Sequence, residues 1–223
     1  MPQAAYNEGF SAAQNIMLKV DLHCHSNVSD GVMTPQAVAA YARQAGVDVW
    51  ALTDHDEVGG IAAARVAAEE QGMRFITGVE ISITWAKETV HIVGLNIDEH
   101  HPELTAGLAR TRAGRDNRAR EISRQLELAG IDGAYEGALK FVGNPDLMSR
   151  THFARYLVEI GACANIPEVF RKYLSEGRPG YVPHSWGMLA DTVGWIRAAG
   201  GVAVIAHPGR YRFSQLAQGQ LFD

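Results

Sequence analysis

Nine histidines occur in the 223 residues, and their spacing is the first feature that could do chemistry. His23 and His25 follow an apolar run of Met17, Leu18, Val20 and Leu22 that reads as a short strand. Successive strand side chains point to opposite faces, so the two imidazoles share one face and Cys24 turns away. Ser29-Asp30-Gly31 then breaks the strand and offers a carboxylate at the same mouth. Imidazole plus carboxylate is the usual ligand mixture for zinc, manganese or iron. A His-x-His pair in a histidine-rich chain carries little weight alone. Its company carries more: Asp54-His55-Asp56, Glu80, His91 and His207 each stand at or just after the end of an apolar, strand-like run. Parallel β/α folds gather their active-site groups there.

The elements that must position these groups follow in order. Thr34-Pro35 starts a helix that ends at Gly46, with a capping hydroxyl before a proline in the first turn. Residues 47–52 form a second strand, Gly59-Gly60 opens an alanine-rich helix, and residues 73–77 form a third strand ending in Gly78-Val79-Glu80. This alternation predicts a parallel sheet. Residues 81–85 and 89–93 alternate across a short turn and predict a hairpin carrying His91. From 99 to about 177 only helical spacing is found, which predicts a lid or substrate-binding cap inserted into the barrel. A helix over 189–199 and a buried-type strand over 202–206 resume the barrel, and another helix begins after Leu216. The division expected is a tail at 1–16, a discontinuous α/β barrel at 17–97 and 183–223, and a helical insertion at 98–182.

Composition bounds the partners. A net charge of -5 gives no global attraction to nucleic acid or anionic membrane, so any grip on phosphate must be local and no stable DNA complex is expected. Cys24 and Cys163 make no disulfide framework, no run is long enough for a membrane span, and the first residues lack a signal-peptide layout. The expected location is the cytoplasm. No motif bears on oligomeric state.

Together, His23-Cys24-His25-Ser26 with Ser29-Asp30-Gly31, Thr53-Asp54-His55-Asp56, Gly78-Val79-Glu80, His91 and Ala206-His207-Pro208 resemble the polymerase and histidinol phosphatase (PHP) family. Arg150-Thr151-His152-Phe153-Ala154-Arg155, Phe170-Arg171-Lys172-Tyr173-Leu174 and Gly180-Tyr181-Val182-Pro183 are similar to its TrpH-type branch. The resemblance implies a distorted seven-stranded β/α barrel with up to three divalent ions, Mn2+, Zn2+ or Fe2+. It implies that His23 and His25 hold the first, that Glu80 bridges to a second completed by His91 and His207, and that Asp30 and His55 hold the third. Branch members remove the 3′-phosphate from nucleoside 3′,5′-bisphosphates and trim RNA from its 5′ end. The expected function is therefore a phosphoesterase acting on nucleotides or short RNA ends by metal-activated hydroxide attack on phosphorus. The alternatives are a small-molecule phosphatase of the histidinol-phosphate kind and an inactive scaffold. A further Gly-Ser-Asp-x-His motif belongs to the family, and nothing after His207 matches it. A C-terminally incomplete barrel with an open edge, from a truncated gene product, is the resulting expectation.

Within this frame Asp54 and Asp56 read either as loop caps or as an orienting group and a proton carrier, and Asp56 and His207 are the catalytic candidates. Substrate grips are sought in the insertion, where Arg150, His152, Arg171, Lys172 and Arg178 could hold phosphate, Ser149 could add a hydroxyl, and Tyr181 an aromatic face. Arg110, Arg112, Arg115, Arg118, Arg120 and Arg124 fall all round a helix, which predicts a solvated face with i,i+4 partners rather than an RNA track. His100, His101 and His184 are expected to be solvated, and Trp50, Trp85, Trp186 and Trp195 to be packing residues.

Overall fold

A computed structural model describes residues 17–222; the segment 1–16, expected as a tail, lies outside the described residues. Strands β1 (Val20–Asp21), β2 (Val49–Leu52), β3 (Arg74–Trp85), β4 (Glu88–Leu95) and β5 (Val202–Ile205) are each hydrogen-bonded to their neighbours in chain order. β1, β2 and β3 are parallel, while β4 runs antiparallel to both β3 and β5. The sheet curls into a half-barrel. Parallel neighbours need crossover helices, and α1 (Pro35–Gln44) and α2 (Ile61–Glu70) supply them. The Thr34 hydroxyl caps α1 by accepting from Ala37 N at 3.2 Å, as its sequence predicts. Trp50 and Leu52 are buried beneath Ala39, Ala64 and Ala68 of the two helices, whose small side chains let them lie close to the sheet.

Two strands differ from expectation. β1 pairs as a strand only at Val20 and Asp21, so the chain through His23 and His25 lies past its end, held there by Thr53 N donating to Cys24 O at 3.0 Å. β3 does not stop at Gly78 but continues through it to Trp85. A Cβ at Gly78 would lie 2.7 Å from Thr53 Cγ2 and 3.0 Å from Leu52 O. This glycine serves the close approach of β2 rather than a turn. Glu80 consequently stands in mid-strand, on a backbone held from both sides.

The insertion comprises α4 (Arg115–Leu128), α5 (Ala134–Leu139), α6 (Arg150–Glu159), α7 (Ile166–Val169) and a π-turn over Phe170–Leu174, around a core that includes Leu126, Phe153, Leu157 and Leu174. The preceding helix, α3 (Pro102–Ala113), falls inside the expected insertion, yet Leu104 and Leu108 pack with Ile81, Ile92 and Ile196 of the barrel. α8 (Leu189–Ala198) leads back into β5, and α9 (Gln215–Phe222) follows it. Among the described residues nothing pairs with the outer edge of β5, and Val202 and Val204 are exposed there. None of the described helices is long and apolar enough to cross a membrane.

Candidate active site

Glu80 is fixed by its own backbone. Its N–H donates to Asp54 O at 3.1 Å and its carbonyl accepts from Asp56 N at 2.9 Å, which ties the segment carrying His55 to mid-strand β3. Asp54, buried, accepts from Ser26 N at 2.7 Å and from the hydroxyls of Ser26 and Ser29 at 2.6 Å each. Of its two readings, the structure gives it the loop-capping one: it shapes the turn between His25 and Asp30. Cys24 faces away as the alternation predicts, with Sγ donating to Ala51 O at 3.3 Å. The turn is too tight for a side chain at Gly31, where a Cβ would lie 2.6 Å from His25 O and 2.7 Å from Ser26 O. Gly31→Ala is therefore expected to displace the loop and weaken divalent-cation binding about 10–100-fold, as loss of ligand orientation does elsewhere. A cation titration checks this, and an unchanged affinity would show that the loop has slack.

Five imidazoles converge on the Glu80 carboxylate, which is 1% exposed. Oε2 lies 3.1 Å from His23 Nε2, 3.1 Å from His25 Nε2 and 3.3 Å from His55 Nδ1. Oε1 lies 3.2 Å from His91 Nδ1 and 3.1 Å from His207 Nε2. Asp30 joins them around a bowl of about 380 Å³. Burial works to raise the Glu80 carboxyl, but the imidazoles of His207, His23, His25 and His91 hold it far below the usual carboxylate range. Burial also pushes His55 down to about 4, leaving it neutral.

This set fits divalent cations better than it fits hydrogen bonding. A carboxylate has about four lone-pair sites, fewer than the imidazoles that crowd it, and Nδ1 of His55 and of His91 face it without a hydrogen-bond partner. Imidazoles collected around one buried carboxylate, more of them than it can satisfy as an acceptor, are suited to hold Lewis acids. Among the described residues, ligand atoms lie within 4.8 Å of one another in two groups, His23 with His207 and His25 with His55, each with Glu80. The resemblance instead pairs His23 with His25.

The bowl opens into a recess of about 110 Å³ that shares Asp30, His55 and His91 with it. The far wall is formed by Arg115, Arg118, Ser149, Arg150, Thr151 and Trp186. Ser149 and Arg150, two of the expected substrate grips, are thus on this wall. His152 is not: it is fully buried, burial pushes it down to about 4, and its Nδ1 accepts from Ser149 N at 3.0 Å. It fixes the start of α6, and its Nε2 has no hydrogen-bond partner among the described residues. Arg171 and Lys172 are also displaced from the prediction. They are 69% and 51% exposed on the outer face, where Glu168 holds them at 3.8 and 2.8 Å. Arg178 is exposed and lines neither cavity, and Tyr181 lies beneath the Arg150 guanidinium, 5.9 Å from ring centre to Cζ.

Two further expectations are corrected. Asp56, offered as a proton carrier, is fully buried and accepts from Ser82 N at 2.7 Å, Ser82 Oγ at 3.0 Å and Arg115. Burial raises its carboxyl, but Arg115 and His55 hold it below the ordinary range, so it has neither a proton to give nor an open face. It positions Arg115. The arginine run does not belong wholly to a solvated face: Arg120 and Arg124 pair along α4 with Asp116 and Glu121, but Arg112 donates to Asp56 O at 2.7 Å, and Arg115 and Arg118 enter the recess. His207 lies in the bowl on a left-handed backbone, φ +32°, and Asp56 has φ +51°. Two non-glycine residues held there flank the site, where strain of this kind collects. Trp50 is core, whereas Trp186 is a cavity wall and His184 packs on it at 4.1 Å rather than standing in solvent.

Fold and side chains together define an α/β protein equipped to hold divalent cations around a carboxylate in mid-sheet. Residues 21–179 match the PHP domain, and the chain belongs to that family. It is 53% identical over 195 residues to a 3′,5′-nucleoside bisphosphate phosphatase of Chromobacterium violaceum, covering 87% of this chain and 68% of that one. It is 46% identical over 196 residues to a 5′-3′ exoribonuclease of Haemophilus influenzae, covering 88% and 71%. The solved structure of an amidohydrolase from C. violaceum, with bound sulfate and no metal, superposes with a TM-score of 0.90 at 51% identity over 92% of this chain and 72% of that one. The chain is accordingly a hydrolase of phosphoric esters.

Proposed function

We propose that the chain removes the 3′-phosphate from nucleoside 3′,5′-bisphosphates and releases nucleotides from the 5′ end of short RNA by the same geometry. The observation that carries this reading is the pair Arg118 and Arg150. Among the described residues, their guanidiniums have only backbone carbonyls as hydrogen-bond partners, Val182 O at 3.1 Å and Leu174 O at 3.2 Å. Burial, then the charges of Arg150 and Arg115, bring Arg118 down to about 10, so it stays charged at neutral pH. Cations left without a carboxylate, one cavity away from the imidazole bowl, make a second place for phosphate.

His23, His25, Asp30, His55, Glu80, His91 and His207 would hold up to three divalent cations, of which Mn2+, Zn2+ and Fe2+ suit these donors. Such ions, when bound, supply positive charge to the phosphate and ease ionisation of the attacking water. The chain does the rest. Arg118 and Arg150 hold the distal phosphate, Ser149 offers a hydroxyl to it, and Trp186 walls the recess from solvent. Thr151 Oγ1 donates to Asp30 Oδ2 at 3.1 Å, and Arg155 reaches Asp30 O at 2.5 Å and Gly31 O at 3.3 Å. The insertion thereby orients the edge of the bowl as well as the substrate.

Steady-state hydrolysis tests the proposal. Arg118→Ala and Arg150→Ala are each expected to lower kcat/KM for a 3′,5′-bisphosphate about 10–100-fold, the worth of a hydrogen bond to a charged group, with a smaller loss on a 3′-monophosphate. Chelation of divalent cations should abolish turnover of both. Equal losses on the two substrates, or histidinol phosphate turned over as well as the bisphosphate, would refute the two-phosphate reading.

A further inference from the structure

A groove of about 300 Å³ lies beside the arginine recess, lined by Arg110, His184, Ser185, Trp186, Asp191 and Trp195. Trp186 is the wall common to both. Its position is fixed: the backbone N–H donates to Thr84 Oγ1 at 2.7 Å, the indole Nε1–H donates to Thr89 Oγ1 at 3.2 Å, and Thr84 N–H donates to Gly187 O at 3.1 Å. With the indole donor already used, this side chain offers the cavities only ring surface. The imidazole of His184 packs 4.1 Å from it, and the guanidinium of Arg110 lies 5.1 Å over the ring of Trp195. Glycines clear the space these rings need. A Cβ at Gly114 would lie 2.6 Å from His184 Cε1, and one at Gly107 would lie 2.4 Å from the Trp195 ring.

Charge separates the two cavities. The recess holds three guanidiniums, Arg115, Arg118 and Arg150, with Asp56 behind the first. The groove holds one guanidinium and one carboxylate, Arg110 and Asp191. Its imidazole is kept neutral, since burial and then the charges of Arg118 and Arg115 lower the pKa of His184. A cationic recess suits phosphate. An aromatic groove that is neutral on balance, with a donor and an acceptor at its rim, suits a flat heterocycle with polar edges: π-faces rest on indole and guanidinium planes, and edge N–H groups reach a carboxylate.

We propose that this groove holds the nucleobase of the nucleotide whose 5′-phosphate enters the arginine recess, with the ribose crossing Trp186. The assignment rests on the nucleotide reading above and deepens it by naming the surface that tells a nucleotide from a base-free sugar phosphate. Base stacking of this kind favours the nucleotide by about tenfold or more.

The test compares kcat/KM for adenosine 3′,5′-bisphosphate with that for the abasic analogue, in which a hydrogen replaces the base. The wild-type chain should prefer the adenosine compound by about tenfold, and Arg110→Ala and Asp191→Ala, at exposed positions, should bring the ratio towards one. Equal turnover of the two compounds by the wild type, or a preference that survives both substitutions, would overturn the assignment. If neither compound is hydrolysed, the bisphosphate reading fails instead. Quenching of tryptophan fluorescence by adenosine alone then decides the groove: quenching that is weakened by Arg110→Ala supports it, and no quenching removes it.

Discussion

Glu80→Gln is expected to leave the fold intact, to strip divalent cations from the protein, and to lower hydrolysis by about a thousandfold. The amide has the shape of the carboxylate, and the backbone of Glu80 is held by Asp54 and Asp56 whatever its side chain. What changes is charge and donor number. One carboxylate oxygen faces His23, His25 and His55, and the other faces His91 and His207. An amide can turn only one oxygen towards either group and presents an NH2 to the other, which cannot ligate a cation. Loss of one negative charge about 4 Å from a single unit of positive charge costs about 4 kcal/mol at an effective dielectric of 20, and a divalent ion doubles that. Each 1.36 kcal/mol is about tenfold, so about a thousandfold is the smaller end of the loss. Elemental analysis of the purified variant, beside steady-state turnover with added Mn2+, checks both halves. A variant that keeps wild-type metal content and hydrolyses within tenfold of wild type would show that Glu80 organises the imidazoles without holding ions.

The groups around Glu80 were legible in the sequence because each is announced locally. His23 and His25 alternate just past an apolar strand, His55 and His207 follow apolar strands, and His91 lies on a hairpin strand. Residue type and a two-residue period suffice for that. Arg115 and Arg118 are not legible from an arginine run that reads as one continuous helix. The helix is interrupted at Gly114, and of the arginines spaced three apart around it Arg112 and Arg115 reach Asp56 and Arg118 lines the recess, while Arg120 and Arg124 stay in solvent. The glycine inside an arginine run was the available signal. Arg171 and Lys172 carried a warning too, since Glu168 stands three and four residues before them on the same turn. Trp186 had no local signal at all. It sits in an irregular loop, and its place is set by Thr84 and Thr89, about a hundred residues away in the chain. Long-range hydrogen bonds of that kind leave no period to read.

The same long-range logic governs the buried pair of Asp56 and Arg115, which joins the barrel to the first helix of the insertion. Asp56 is fully buried, Arg115 is 5% exposed, and Arg115 Nε has no partner even with the pair intact. Asp56→Asn should therefore destabilise the chain by about 3–5 kcal/mol, since removing one partner leaves an uncompensated buried charge. Asparagine has one acceptor oxygen for two places: turned to Ser82 N it presents its NH2 to the guanidinium, which is left with Ser82 Oγ at 3.3 Å and the face of Trp186 at 4.7 Å. Asparagine is the right probe because it tolerates the left-handed backbone at this position, whereas alanine would add a conformational cost of its own. Arg115→Met in the same chain should recover much of the loss, because a buried ion pair exchanged for apolar groups is often close to neutral. Activity should separate from stability here: the double variant folds but lacks one of the three guanidiniums of the recess, so its kcat/KM for a bisphosphate stays low. Urea denaturation of the two single variants and the double variant gives the coupling energy directly. Were Asp56→Asn to cost less than about 1 kcal/mol, the range of an exposed ion pair, water would have to reach Arg115, and the recess would be a wetter and weaker phosphate site than its burial implies.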